Sequence, residues 1–210
     1  MTNTKKVNII LLLLFFGDAF VSPFLALYFI HLGFSNAELG ILLAIKPLCS
    51  LLGNFIYGHF SKGLKRDLLL FRIICAFLIV SMVAFAFTSN FIVSVVLMVI
   101  WSLNGNVLFS FSDGIAEKCC IKDNKKYSIT RMFGSYGYLV ALLIGGSLDI
   151  AGLLNYPVLF IISSVIYIGV IVITFFIDEF DTLDVPVEKI TFKQLFKSKS
   201  FIKYIIFTFY

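Results

Sequence analysis

Two acid–base couples stand out because each sits where a charge is costly. Asp18 and Lys46 lie near the middles of the first two long apolar runs. Asp113 and Arg131 lie towards the ends of the fourth and fifth runs that face each other across a short loop. Lipid cannot solvate a charged side chain, so one inside a spanning helix faces the bundle interior or a wet cavity. Asp18 and Lys46 are equidistant from Leu32, the centre of the turn between their runs. At about 1.5 Å of rise per residue, antiparallel neighbours put such positions at one depth, ~20 Å from the turn. An Asp18–Lys46 ion pair is therefore expected. Two roles are open to it: a pair that fixes packing, or an aspartate that titrates or binds substrate. Asp113 and Arg131 are equidistant from Lys122 in the same way. A lone arginine at that depth would snorkel to the membrane edge, but a carboxylate at mirrored depth points to a partner or a substrate.

Each charge heads a polar stripe at helical spacing. Asp18 is followed by Ser22, and Lys46 by Ser50, Asn54 and Tyr57. Ser102, Asn106 and Ser110 lead to Asp113 and Glu117, and Arg131 leads to Ser135 and Tyr138. Steps of three and four keep side chains on one helix face. Polar faces on four helices suggest one shared aqueous cavity, although Ser and Asn also join helices within a membrane. A different face of the Arg131 run carries Gly137, Ala141 and Gly145, a seam of small residues that lets two backbones approach closely.

The elements that must position these residues follow from composition. The 210-residue chain is 60% hydrophobic and 14% charged, whereas a soluble domain is about a quarter charged. Too little polar surface exists for a water-facing exterior. A bilayer core takes about 20 apolar residues per helix, and the runs 7–30, 37–58, 67–88, 91–116, 130–149 and 157–177 meet that length. The expected fold is an all-α membrane protein. Residues 1–177 would form a six-helix transmembrane bundle, 178–200 a cytoplasmic interdomain linker, and 201–210 the start of a truncated seventh helix. On that reading the chain is a fragment or a truncated product of a longer, transporter-sized protein. The start "MTNTKKVNIILLLLFF" reads as the first span and not a signal peptide, because its apolar run continues and no small-residue cleavage site follows.

Lysines and arginines alternate between loops. Lys5 and Lys6, then Lys62, Lys65 and Arg66, then Lys118, Lys122, Lys125 and Lys126 mark one side, and the opposite loops hold none. The positive-inside rule puts the N-terminus and these basic loops in the cytoplasm of a multi-pass protein, in a membrane that remains unspecified. Scattered between apolar runs, the net charge of +5 forms no nucleic-acid patch. Cys49, Cys75, Cys119 and Cys120 lack metal or redox spacing. Cys119 and Cys120 read as ordinary thiols, with lipidation the alternative. An intramembrane enzyme would need paired aspartates or grouped histidines, but the two histidines, His31 and His59, fall in separate turns. No enzyme, metal or cofactor is indicated.

The stretch "DGIAEKCCIKDNKKYSITRMFGSYGY" resembles the region spanning the fourth and fifth helices of the lactose permease-like, or MFS-1-like, group of the major facilitator superfamily. It has an acid, then Glu-Lys, then Arg-Met-Phe-Gly: Asp113, Glu117, Lys118 and Arg131 to Gly134. The bundle, the basic turns and the linker resemble that superfamily's N-terminal half over the whole chain. The resemblance implies a secondary active transporter. Such a protein moves a small polar organic solute, a sugar, nucleoside or similar, by alternating access and proton symport. Its partners would be the solute, protons, the lipid bilayer and a second six-helix half. It makes Asp113 and Arg131 substrate contacts and Tyr138 an aromatic ring for the solute. Ser135 and Asn106 extend these faces. On burial grounds alone, and not from the resemblance, Asp18 is a candidate proton carrier or, with Lys46, an intramembrane charge pair.

Departures accompany the likeness. The acid is Asp rather than Glu, and the bulky Phe109 stands one turn before it. The gating signature between the second and third helices is reduced to Gly58, Lys62, Lys65 and Arg66, with lysine where an aspartate is expected. "IKPL" stands where eukaryotic relatives carry Arg-Pro, and no proline lies between Arg131 and Asp149. The alternatives to a transporter are a non-transporting receptor or scaffold of the same fold, or an inactive truncated product.

Overall fold

The structure, a computed structural model, describes residues 2–60 and 63–180. The expected linker beyond Phe180, the seventh segment and Lys62 lie outside the described residues. Among the described residues all regular structure is helical, in seven helices: α1 (Asn3–Ala19), α2 (Leu25–His31), α3 (Asn36–Gly58), α4 (Leu64–Phe87), α5 (Phe91–Lys122), α6 (Tyr127–Ile150) and α7 (Tyr156–Thr174). Five of them, α3 to α7, are each long and apolar enough to cross a membrane.

The first expected span, 7–30, is not one helix. It breaks between Ala19 and Leu25, and Pro23 is the cause: it lacks an N–H, and its ring would strike the carbonyl four residues back. The backbone tightens there to three-residue bonds such as Phe24 N–H to Val21 O. Ser163 on α7 donates to the Gly17 carbonyl at 2.8 Å, so a side chain serves a carbonyl beside the break.

Helix starts at the end opposite the basic loops are well specified. Ser35 and Glu38 form a reciprocal capping box at α3. Asn90 caps α5, and Asn155 caps α7 just before Pro157. These polar caps satisfy the free N–H groups that each helix start exposes.

Two glycines decide how the helices pair. A β-carbon on Gly137 would lie 2.1 Å from the Leu12 carbonyl oxygen, and one on Gly53 would lie 2.1 Å from the Leu103 carbonyl oxygen. No side chain fits either place, so α6 meets α1 backbone to backbone, and α3 meets α5 likewise. The seam expected of Gly137, Ala141 and Gly145 is therefore real: Ala141 is fully buried, and a β-carbon on Gly145 would sit 2.7 Å from the Phe24 ring. Behind these two pairs, α4 packs on α5 and α7, and α7 on α1. Arg72 ties that rear layer. Its guanidinium donates to the Thr174 hydroxyl at 2.8 Å and the Thr174 carbonyl at 2.9 Å, and it lies over the Phe175 ring. A cation at the carboxyl end of α7 offsets its unpaired carbonyls. The outward faces stay apolar, with Ile150 91% and Phe87 80% exposed, as a lipid-facing surface requires.

The basic end of the bundle is tied polar group to polar group. Thr4 donates its N–H and its hydroxyl to the Asp123 carboxylate, at 2.8 and 2.7 Å. Lys6 pairs with Asp178 at 2.7 Å and also reaches the Phe176 carbonyl. Partial burial works to raise the Asp123 carboxyl, but the Thr4 hydrogen bonds together with the Lys122 and Lys125 charges outweigh it and hold the group below its ordinary value.

Candidate functional site

Charged side chains bridge the α1–α6 pair and the α3–α5 pair at two levels. Nearer the basic end, Arg131 of α6 reaches Asp113 of α5, with Nε 3.3 Å from Oδ1. Both side chains are about one-third exposed, at 37% and 34%, so the pair faces an opening and not a sealed core. The guanidinium lies over the Phe15 ring of α1, 4.3 Å from its centroid. Gly134 makes room for this, because a β-carbon there would meet the Phe15 ring at 2.8 Å and the Arg131 guanidinium at 2.9 Å. A face-on cation and ring attract through the ring quadrupole. The expected Asp113–Arg131 couple is thus formed.

The second level differs from expectation. Asp18 and Lys46 face the same cavity, of about 130 Å³, but they make no direct ion pair. Lys46 Nζ donates instead to the Ser22 hydroxyl at 2.9 Å and lies over the Trp101 ring, 5.0 Å from its centroid. The Ser22 hydroxyl also lies close enough to Asp18 to act on its carboxyl, which feels Lys46 as a neighbouring charge. One hydroxyl therefore stands between the two charges. Ser22 owes this place to the break after Ala19, which turns the chain directly beyond Asp18. Equal spacing from Leu32 gave the depth correctly, but it assumed a straight helix.

An aromatic layer separates the levels. Phe15 and Phe109 meet with ring centroids 4.6 Å apart. Phe109 borders the cavity, and Phe15 carries Arg131. The bulky Phe109 noted in the sequence is thus half of a partition.

The remaining expected residues fall on different sides of that partition. Asn106 borders the Asp18–Lys46 cavity and not the Arg131 level. Tyr138 packs against the cluster formed by Ala19, Phe20, Phe24, Ala141 and Leu159 and lies within electrostatic reach of Asp18. Ser135 is exposed on α6. At the gating turn, Gly58 ends α3, Arg66 is exposed, and Lys65 pairs with Glu179 at 3.5 Å. Cys119 and Cys120 are buried, and the Cys120 thiol meets the Thr130 hydroxyl at 3.2 Å. No lipid can be attached to either in this arrangement.

Three residues, Asp67, Arg72 and Trp101, were not singled out from sequence. Asp67, 3% exposed, pairs with Lys118 between the basic ends of α4 and α5. Arg72 holds the end of α7, as above. Trp101 forms a wall of the cavity beside Ser102 of the expected polar stripe. The signal for the first two was available, since both are charges inside the third apolar run. Among the described residues no group of His, Cys, Asp and Glu could hold a metal ion.

Apolar helices joined through glycine seams, with charges between the pairs, are the architecture of the N-terminal half of a major facilitator superfamily transporter. The chain belongs to the MFS_1 like family, whose model matches residues 5–209. Among solved structures, the crystal structure of nucleoside transporter NupG aligns with a TM-score of 0.79 at 14% identity. That alignment covers 99% of this chain and 53% of the NupG chain, so the present chain spans about half the length of that structure. At such identity the likeness concerns the fold. No curated protein matches the sequence.

Proposed function

We propose that this bundle is one half of a secondary active transporter for a small neutral or polar organic solute, a sugar or nucleoside. The observation that carries the reading is the Arg131–Asp113 pair, part-exposed over Phe15 on the opening between the helix pairs. An arginine fork beside carboxylate oxygens offers donors and acceptors in one plane, which suits ligand hydroxyls. The NupG fold likeness supports a nucleoside among the candidate solutes. The first span is the kinked α1–α2 unit, giving six, with the N-terminus and the basic end cytoplasmic. The bundle rocks against a second six-helix half about a midplane site, in alternating access. Uptake is proton-coupled, with Asp18 as the proton carrier, since it lies in the membrane beside a cavity without a direct counter-ion.

The test is uptake of labelled nucleosides and sugars by the complete protein in proteoliposomes. Arg131→Ala, expressed and folded, is expected to abolish uptake. Unchanged uptake sinks the site assignment. Asp18→Asn is expected to remove the dependence of uptake on an imposed pH gradient, and persistence of that dependence sinks the carrier role.

A further inference from the structure

A larger cavity, of about 440 Å³, lies at the end of the bundle opposite the basic loops. It is bounded by the end of α2, the end of α4 and the start of α7. It shares no residue with the Asp18–Lys46 cavity. Its volume falls within the ~300–1,000 Å³ of small-molecule sites.

Three rings line this space as a connected set. The Tyr156 ring lies 5.4 Å from that of His31 and 6.1 Å from that of Tyr28, centroid to centroid. The Tyr28 hydroxyl donates to the Phe85 and Thr88 carbonyls at the end of α4, which holds its ring in place. Tyrosines are common where helices leave a membrane, but that preference does not account for a cavity among them.

The electrostatics of the wall favour a cation. Aromatic faces attract one through the ring quadrupole, and ring-lined sites take quaternary ammonium ions. Both α2 and α4 end at the cavity, and a helix carboxyl end carries partial negative charge. The loops at this end hold no lysine or arginine. Asp149 of α6 lies within electrostatic reach of Tyr156. The start of α7 is the exception, since a helix amino end favours an anion. A cation with an anion attached matches both kinds of end. Phe87, at the edge of the cavity, is 80% exposed on the apolar outer surface, where acyl chains would lie.

We infer that this cavity binds the choline phosphate headgroup of a zwitterionic phospholipid, with the ammonium among the Tyr28, His31 and Tyr156 rings and the acyl chains running past Phe87. The inference needs only the membrane setting, so it stands or falls apart from the proposed transport and its Arg131 site.

Binding to the purified full-length protein in detergent tests it, with dihexanoylphosphatidylcholine as the probe. Dihexanoylphosphatidylglycerol, alike in its chains but without the ammonium, is the control, and tetramethylammonium stands for a free cation. The choline lipid is expected to bind more tightly than the glycerol lipid. Tyr156→Leu is expected to weaken the choline lipid roughly five- to thirty-fold, the factor of one desolvated cation–π contact. It is expected to leave the glycerol lipid unaffected. Tyr156→Phe keeps the ring and is expected to keep the affinity. His31→Leu, on the exposed rim, is expected to cost roughly two- to five-fold, and it answers the same question should Tyr156→Leu not fold. Similar affinities for the two lipids, equal loss of both in Tyr156→Leu, or as large a loss in Tyr156→Phe overturns the site. Tetramethylammonium binding with this pattern of variants, while the choline lipid does not bind, overturns the lipid as its occupant.

Discussion

The two charged levels differ in what stands between their charges. At the Arg131 level nothing intervenes, and the guanidinium touches Asp113 over an aromatic ring. At the Lys46 level Ser22 intervenes, and the ammonium rests on a hydroxyl and an indole. A direct pair commits both partners to each other. A pair divided by a hydroxyl leaves each charge free to change partners at little cost, because the bridge can be replaced by another hydroxyl or by water. The first level is suited to positioning, and the second to exchange.

The largest expected effect comes from removing the partition between the levels. Phe15→Ala loses the contact with Phe109 and the ring beneath Arg131. It should destabilise the full-length protein by about 2–3 kcal/mol in chemical or thermal unfolding, below the ~3–5 kcal/mol of a fully buried phenylalanine. A loss below ~0.5 kcal/mol would mean that the two levels are not held apart by packing.

Next comes the Arg131 level itself. Asp113→Ala strands the guanidinium, and with both groups partly exposed the expected cost is about 1–2 kcal/mol. Exchanging the charges, Asp113→Arg with Arg131→Asp, should recover part of it. If the exchanged protein is no better than either single variant, the contact has no energetic meaning.

A smaller coupling is expected at the other level. In a double-mutant cycle with Asp18→Asn and Lys46→Ala, the interaction energy should lie near ~0.5 kcal/mol, the low end for residues that share a partner. A coupling of ~2 kcal/mol would make the two levels alike and remove the contrast.

The smallest effect lies at the basic end. The hydrogen bond from Lys6 holds the exposed Asp178 carboxyl below its ordinary value of 3.8. A depressed carboxylate contributes in full above its unfolded value and loses that contribution as pH falls through the folded one. Asp178→Asn should therefore lower melting slightly above pH 3.8, with the difference shrinking as pH falls from there through the depressed folded value. A difference that grows as pH falls would contradict the Lys6–Asp178 contact.

Much of this was legible in residue spacing. Equal distance from Lys122 placed Asp113 level with Arg131, because α5 and α6 run unbroken into their shared loop. Equal distance from Leu32 placed Asp18 level with Lys46 but could not give the rotation, since Pro23 interrupts the path between Asp18 and the turn. The seam at Gly137 was visible as a period of four, whereas Gly53 stands alone on α3, and only the partner helix shows its purpose. Arg72 and Asp67 were hidden differently. Each is visible as a charge inside the third apolar run, but their partners Thr174 and Lys118 are remote in sequence, so no local pattern joins them.

Gly53 and Gly137 fix more than distances. Two helices locked backbone to backbone cannot slide without striking a carbonyl, so each pair behaves as one stiff beam. The bundle then has few soft coordinates, and the gap between the beams is the softest. Both charged levels span that gap at different heights, as struts of unequal length would. On the function proposed above, a solute that shortened one strut would tilt the beams, and the tilt would load the other strut. The substitution Gly53→Ala, which adds no charge and first meets Leu103 and Val107, would on this view uncouple the two struts by bending a beam.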